Sequence, residues 1–354
     1  MDVAVESVAA AFDARAAWRG LVLRRMIVLA AGIILLATSF LLDIATGPAM
    51  LPVGDVVAAL FGYGTDAMAN TIVWAIRLPT AIMALLVGAA LGMTGAVMQT
   101  ILNNPLASSY TLGVSAGAGF GAALVIVLGA ALPVPESYAI PVSAFVFAGV
   151  SCGCVWLLGG VRGATPETLV LAGIALMFLF QALQSLLQFL ASPEALQQIV
   201  FWLFGSLQRS TWQKLAIVGA TLAIAMPLLM RDAWGLTALR LGDERASALG
   251  IDVRALRLRG FVFVSVATGI AVAFVGTIGF IGLVAPHVAR MLLGEDQRTL
   301  LPGAAIAGAL LLSTASVASK TISPGALFPI GIVTALVGVP FFALLILSAR
   351  RGRH

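Results

Sequence analysis

An all-α, polytopic membrane protein with about ten transmembrane helices is the fold class predicted here, on three observations. The 354 residues are 61% apolar and only 10% charged, with a mean hydropathy of +1.08. Charge-free runs recur along the chain, among them MIVLAAGIILLATSFLL (Met26–Leu42) and LAIVGATLAIAMPLLM (Leu215–Met230). A helix needs roughly 20 mostly apolar residues to cross the hydrocarbon core, and several runs reach or approach that length. The 37 glycines suit helices whose backbones approach closely through small-residue faces.

The first span is placed at 25–45, opened by Arg24 and Arg25 and closed by Asp43. No small-residue cleavage site follows its apolar run, so it reads as a retained helix. Between the first two spans, VGDVVAALFGYGTDAMANTIVWAIRLPT (Val53–Thr80) reads as an external, partly amphipathic stretch. Spans then follow near 80–101, 112–131, 139–160, 167–190, 213–230, 257–275, 277–292, 300–319 and 328–348, the eighth of them short. Cys152 and Cys154 lie in one apolar span, two positions apart, and so point to different sides of a helix. They read as buried small residues.

With the N-terminus in the cytoplasm and ten crossings, sixteen arginines face inward. They are Arg15, Arg19, Arg24, Arg25, Arg162, Arg231, Arg240, Arg245, Arg254, Arg257, Arg259, Arg290, Arg298, Arg350, Arg351 and Arg353. Only Arg77, Arg209, Lys214 and Lys320 face outward. The positive-inside rule therefore puts both termini in the cytoplasm. The basic balance of +5 records topology, and no nucleic-acid partner is needed to explain it.

Ten of the 35 Asp, Glu, Lys and Arg residues fall between Arg231 and Arg259. Within that segment, LGDERASALGI (Leu241–Ile251) has helical spacing, and Gly242 and Gly250 punctuate it into short pieces. Asp243 and Glu244 suit the positive end of a helix dipole. Such a segment reads either as a solvated loop or as a ledge that seats a soluble protein.

The missing chemistry is equally informative. The assigned spans contain almost no ionisable groups, which are expensive in a bilayer and usually functional there. His287, after Pro286, reads as a structural residue at a helix edge. No His, Asp or Glu cluster has metal-ligand spacing, and no Ser or Cys nucleophile has a nearby base. The two lysines follow Gln213 and Ser319, so a phosphate-binding G-x-x-x-x-G-K-[ST] loop is impossible. Energy for uphill transport would have to come from a partner.

Four stretches carry a family resemblance. They are RLP (Arg77–Pro79) with GAVMQTILNNPLASSYTLGVSAGA (Gly95–Ala118), LGDERASALG (Leu241–Gly250), GFIGLVAPHVAR (Gly279–Arg290) and PIGIVTALVGVPFF (Pro329–Phe342). In this order, across residues 75–348, the chain resembles the FecCD/BtuC-like permease subunits of ABC importers for iron chelates and vitamin B12. The resemblance implies a BtuC-like fold of ten spans, with a cytoplasmic segment 1–24, one transmembrane domain 25–349, a coupling loop 231–257 and a tail 350–354. It also implies a second permease subunit in a homodimer or heterodimer, a cytoplasmic ABC ATPase dimer and an extracytoplasmic substrate-binding protein. The chain itself would bind no cofactor, ATP and Mg²⁺ belonging to the ATPase. The setting would be the bacterial inner membrane and its lipid.

Site residues follow from the same likeness. Leu241, Gly242, Asp243, Glu244, Arg245, Ala246, Leu249 and Gly250 would couple to the ATPase. Asn104 and Leu106 match the family's N-P-L gate, and Thr165, Pro166 and Glu167 stand where a second gate has three hydroxyl residues. Arg77 and Lys320 would receive acidic groups of the binding protein. Thr80, Ser316 and Lys320 replace a basic residue, an aspartate and an arginine of the family pattern. Leu327 and Phe328 lead into Pro329 where a glutamate is usual. The cargo would be a ferric siderophore first, haem or a corrinoid next. The competing classes are an ion-coupled secondary carrier and a lipid-processing membrane enzyme.

Overall fold

A computed structural model describes residues 2–49, 51–64, 66–129, 134–160, 163–322 and 328–351. Arg162, Leu327 and Arg353, which carry expectations above, lie outside them. Helix α1 runs from Asp2 to Ala45 without a break at the proposed boundary between 24 and 25. Two short helices follow, α2 (Val53–Leu60) and α3 (Ala67–Thr71), and a π-helical turn (Ile72–Arg77) leads into α4 (Leu78–Ile101). The remaining helices are α5 (Val114–Leu128), α6 (Glu136–Gly160), α7 (Pro166–Leu190), α8 (Pro193–Leu203), α9 (Trp212–Leu239), α10 (Asp243–Ala248), α11 (Val253–Val275), α12 (Ile281–Leu293), α13 (Gln297–Thr321) and α14 (Ile330–Arg351). Among the described residues, seven helices are long and apolar enough to cross a membrane, and α5, α12 and α14 are shorter apolar helices. Together they make the ten expected spans.

Local chemistry sets the ends. Thr165, Ser192, Thr211, Asp252 and Asp296 cap α7, α8, α9, α11 and α13 by accepting from backbone N–H groups. Each cap is worth about 1 kcal/mol. Pro166 and Pro193 sit in first turns, where the missing N–H costs nothing.

Helix α4 is the hub, with 78% of its apolar window buried against 17% for α1. It packs tightly on α13 and α12 through glycine. A Cβ on Gly88 or Gly92 would overlap the α13 backbone at Gly308 or Ala304, and one on Gly95 would overlap the Gly282 carbonyl of α12. Without a hydrophobic force between helices in lipid, such close backbone contact supplies the attraction.

Two features depart from the sequence reading. Helix α8 occupies a region where no helix was expected; at 11 residues it is too short to span, and it seats Ile199 while exposing Phe201. The charged connection is also shorter than 231–257. Helix α9 continues to Leu239 and α11 begins at Val253, because charged residues at helix ends are compatible with helix once they lie beyond the apolar core.

Candidate coupling and gating site

The linkers after α4, α6, α9 and α12 gather on one face of the bundle, together with α10. Gly242 opens α10 at φ +99° and Gly250 closes the turn at φ +82°. Both values favour glycine, because a Cβ crowds the backbone there. Ala246 is fully buried, whereas Leu241, Glu244, Arg245, Ser247 and Leu249 are exposed. One side of the short helix is therefore pinned down, and the other offers two leucines among charges.

Arg257 holds the pinned side. Its Nη1 and Nη2 donate to Asp243 Oδ2 and Oδ1 at 2.7 and 2.8 Å, and its Nε donates to the Ile101 carbonyl at 3.2 Å. The arginine is 4% exposed. Bidentate pairing fixes direction as well as distance. One side chain of α11 thus grips α10 and the last turn of α4 together. Sequence reasoning counted Arg257 only as an inward charge; its partners lie 14 and 156 residues away, beyond any local spacing rule.

The same turn of α4 is held from other directions. Arg290 Nη2 donates to Gln99 Oε1 at 2.8 Å, and Gln297 Nε2 donates to Thr100 Oγ1 at 2.9 Å. Glu295 accepts from Arg290 Nε at 3.1 Å and from Arg240 Nη2 at 3.0 Å. Asp296 accepts from Arg298, which together with the nearby Arg25 holds its carboxyl below the usual range and keeps it charged at the head of α13. Gln99 and Thr100 are fully buried.

The α4 helix stops where this grip ends. Asn103 takes φ +43°, and Asn104 Oδ1 accepts from the Leu106 N–H at 2.9 Å. This is an Asx turn, in which a short amide side chain stands in for backbone. Leu106 is left 60% exposed. The other proposed gate segment is a helix cap. Thr165 Oγ1 accepts from the Thr168 N–H at 3.4 Å, Pro166 is partly buried and Glu167 is exposed. These two segments share the α10 face, while Leu112 and Gly113 between them pack on Gly173 of α7.

On the opposite face, the four outward cations divide into two pairs. Arg77 is buried and donates to the carbonyls of Ile44, Ala45 and Ala49 at 2.9, 2.8 and 2.5 Å. Lys320 Nζ donates to Asp43 Oδ1 at 2.7 Å and to its carbonyl at 2.9 Å, and Ser316 Oγ donates to the same Oδ1 at 2.8 Å. Asp43 is fully buried, so the packed interior does hold a carboxylate, paired with a lysine from α13. Sequence alone reads Arg77 and Lys320 as charges presented outward; the chain spends their donors on itself. Arg209 and Lys214 instead line an opening of about 610 Å³ with Gln198, Ser206 and Trp202.

This buried pair has a measurable consequence. Lys320→Met leaves the Asp43 charge without its cation, and breaking one side of a buried pair costs about 3–5 kcal/mol. A thermal midpoint in detergent should fall markedly for Lys320→Met and recover largely in Asp43→Leu/Lys320→Met. Equal midpoints for wild type and the single variant would contradict this account of the pair.

Among the described residues there is no group of three His, Cys, Asp or Glu that could hold a metal ion. His287 packs edge-on to Phe341, with ring centroids 6.4 Å apart. Cys152 and Cys154 are free thiols.

Among the described residues, ten apolar helices, one of them the glycine-packed hub, with a short charged helix at one face, define a polytopic membrane protein. The chain belongs to the FecCD transport family, whose model matches residues 34–348. It is 39% identical over 279 residues to the hemin transport system permease protein HmuU of Yersinia pestis, covering 78% of this chain and 84% of that protein. It is 34% identical over 339 residues to the iron(3+)-hydroxamate import system permease protein FhuB of Bacillus subtilis, covering 95% and 86%. A solved inward-facing conformation of a transporter described as metal-chelate ABC type superposes with a TM-score of 0.79 at 31% identity, covering 91% of this chain and 99% of that one.

Proposed function

We propose that this chain is the permease subunit of an ABC importer that carries a metal chelate across the cytoplasmic membrane by alternating access. Both termini lie in the cytoplasm, as the arginine asymmetry requires. Two permease subunits, identical or paired with a second kind, flank the pathway. A cytoplasmic ATPase dimer, with ATP and Mg²⁺ bound to it and not to this chain, sits under them, and an extracytoplasmic binding protein delivers cargo. A ferric siderophore is the first candidate and haem or a corrinoid the next, in keeping with the iron chelates named for the relatives.

The observation that carries this reading is α10. Its exposed Leu241, Glu244, Arg245 and Leu249 form a small apolar and charged knob. Its first residue, Asp243, is tied through Arg257 to the turn of α4 just before Asn104 and Leu106. A push on the knob by a closing ATPase reaches the Asn104–Leu106 turn through that one arginine. The Thr165–Glu167 cap lies on the same face and serves as the second closure. On the outer side, Arg77 and Lys320 support docking by holding the ends of α1 and α13 in place. Arg209 and Lys214 supply the positive charge that acidic groups of the binding protein meet.

Glu244→Arg reverses a charge on the knob, and Gly242→Pro demands φ near −65° where the chain needs +99°. Each should cut ATP-coupled uptake at least about tenfold, equivalent to about 1.4 kcal/mol of lost coupling, with normal membrane insertion. Normal uptake by both variants, or uptake by the chain alone in vesicles driven by an ion gradient, would sink the proposal.

A further inference from the structure

Helices α9 and α11 are the two that α10 joins, and a groove of about 660 Å³ runs between them on the outside of the bundle. Ile224 and Leu228 of α9 and Val262 and Val266 of α11 form its walls, and all four side chains are exposed. Charge is confined to one end. Arg231, Asp232 and Arg259 line the groove there, on the side of α10.

The charges at that end are unevenly paired. Asp232 accepts from Arg259 Nε at 2.7 Å and from Nη2 at 2.9 Å, which neutralises one arginine. Arg259 Nη1 and the whole Arg231 guanidinium have no hydrogen-bond or ion-pair partner among the described residues. The charge of Asp252 also acts on Arg259, so the positive charge left without a partner at that end is that of Arg231. That matches one phosphodiester.

The length also fits. From Arg231 back to Thr221, the last groove residue on α9, ten residues rise about 15 Å at 1.5 Å each. This is half of the roughly 30 Å hydrocarbon core, one leaflet deep. Trp234, one turn beyond Arg231 and 54% exposed, lies where tryptophans concentrate at the membrane interface. A groove one leaflet deep, apolar along its length and cationic at the headgroup level, has the form of a lipid site.

We propose that this groove binds an anionic phospholipid of the leaflet on the α10 side. One acyl chain lies along Ile224, Leu228, Val262 and Val266. The phosphate accepts hydrogen bonds from Arg231 and from Arg259 Nη1. Because the lipid touches both helices that carry α10, its occupancy braces the base of the coupling helix.

The test uses the full chain, purified in detergent and mixed with equal phosphatidylglycerol and phosphatidylcholine, with bound lipid counted by native mass spectrometry. One surface arginine contributes about fivefold preference for an anionic headgroup. The wild type should therefore retain phosphatidylglycerol about fivefold over phosphatidylcholine. Arg231→Gln should abolish that preference while still binding lipid. Val262→Trp, which fills the groove, should lower retention of both lipids. Equal retention of the two lipids by the wild type, or an unchanged preference in Arg231→Gln, overturns the assignment. So does a change in subunit stoichiometry in Val262→Trp, which would make the groove a protein contact. Both substitutions fall on exposed side chains, so thermal midpoints should stay near wild type.

Discussion

Arg257→Met is expected to insert into the membrane normally, assemble with its partners and lose ATP-coupled uptake by at least about tenfold. Among the described residues, Arg257 is the side chain that hydrogen-bonds both α10, through Asp243, and the end of α4, through the Ile101 carbonyl. Methionine fills much of the buried volume and keeps the apolar stem. It provides no donor, so the hydrogen-bonded connection from Asp243 to the Ile101 carbonyl is lost. Coupling between two sites is typically worth 1–3 kcal/mol, or 5–150-fold. Losing this hydrogen-bonded link should remove most of it. ATPase activity should then persist without cargo movement.

Two companion variants separate coupling from stability. Arg257→Lys keeps the charge but loses the fork that meets both carboxylate oxygens, and should fall between wild type and Arg257→Met. Asp243→Asn breaks the same contact from the other side. Combined with Arg257→Met it should add little, because residues acting through one contact are not additive. Additive losses, or normal uptake by Arg257→Met at normal abundance, would show that force travels by another route.

Apolar runs and sided arginines made the ten spans legible, because membrane insertion depends on one-dimensional properties of the chain. The boundaries of α10 were legible too, since Gly242 and Gly250 mark left-handed turns that few other residues accept. The contacts that join α10 to α4 were not. Arg257 and Asp243 meet only after α10 folds back on α11, and Ile101 joins them from another span. Arg77 and Lys320 show the opposite failure. Their scarcity among outward residues made them look like docking charges, yet they are turned onto backbone carbonyls and onto Asp43. No composition rule registers which way a side chain at a helix end will point. Asp43 itself was read as a helix end; with Ser316 where the family pattern has an aspartate, the carboxylate beside Lys320 comes from α1.

Gly95→Leu should have the largest effect on stability of any substitution considered. A Cβ there would overlap the Gly282 carbonyl, and the neighbouring Gly282 Cα and C atoms crowd the same space. The obstacle is backbone on both sides, so no side chain can swing away to make room. Overpacking costs about 1–3 kcal/mol where side chains can adjust, and more where they cannot. Loss of folded protein is therefore expected, read as a collapse of the monodisperse peak and of the thermal midpoint in detergent. Gly149→Leu provides the control, since nothing lies within 4 Å of a Cβ added there, and it should stay within about 1 kcal/mol of wild type. The Gly95 contact also bears on transport. It sets α4 against α12 one turn before the Gln99–Ile101 segment that Arg290 of α12 and Arg257 of α11 hold. Gly95→Ala, with a single methyl, tests whether that spacing matters for movement as well as for folding. Its Cβ meets the same Gly282 backbone, so its folded fraction should also drop, by less than in Gly95→Leu because no further side-chain atoms follow. If the surviving protein transports at the wild-type rate per molecule, the α4–α12 contact serves packing alone. If the rate per molecule falls with it, the close approach of these backbones positions the gate.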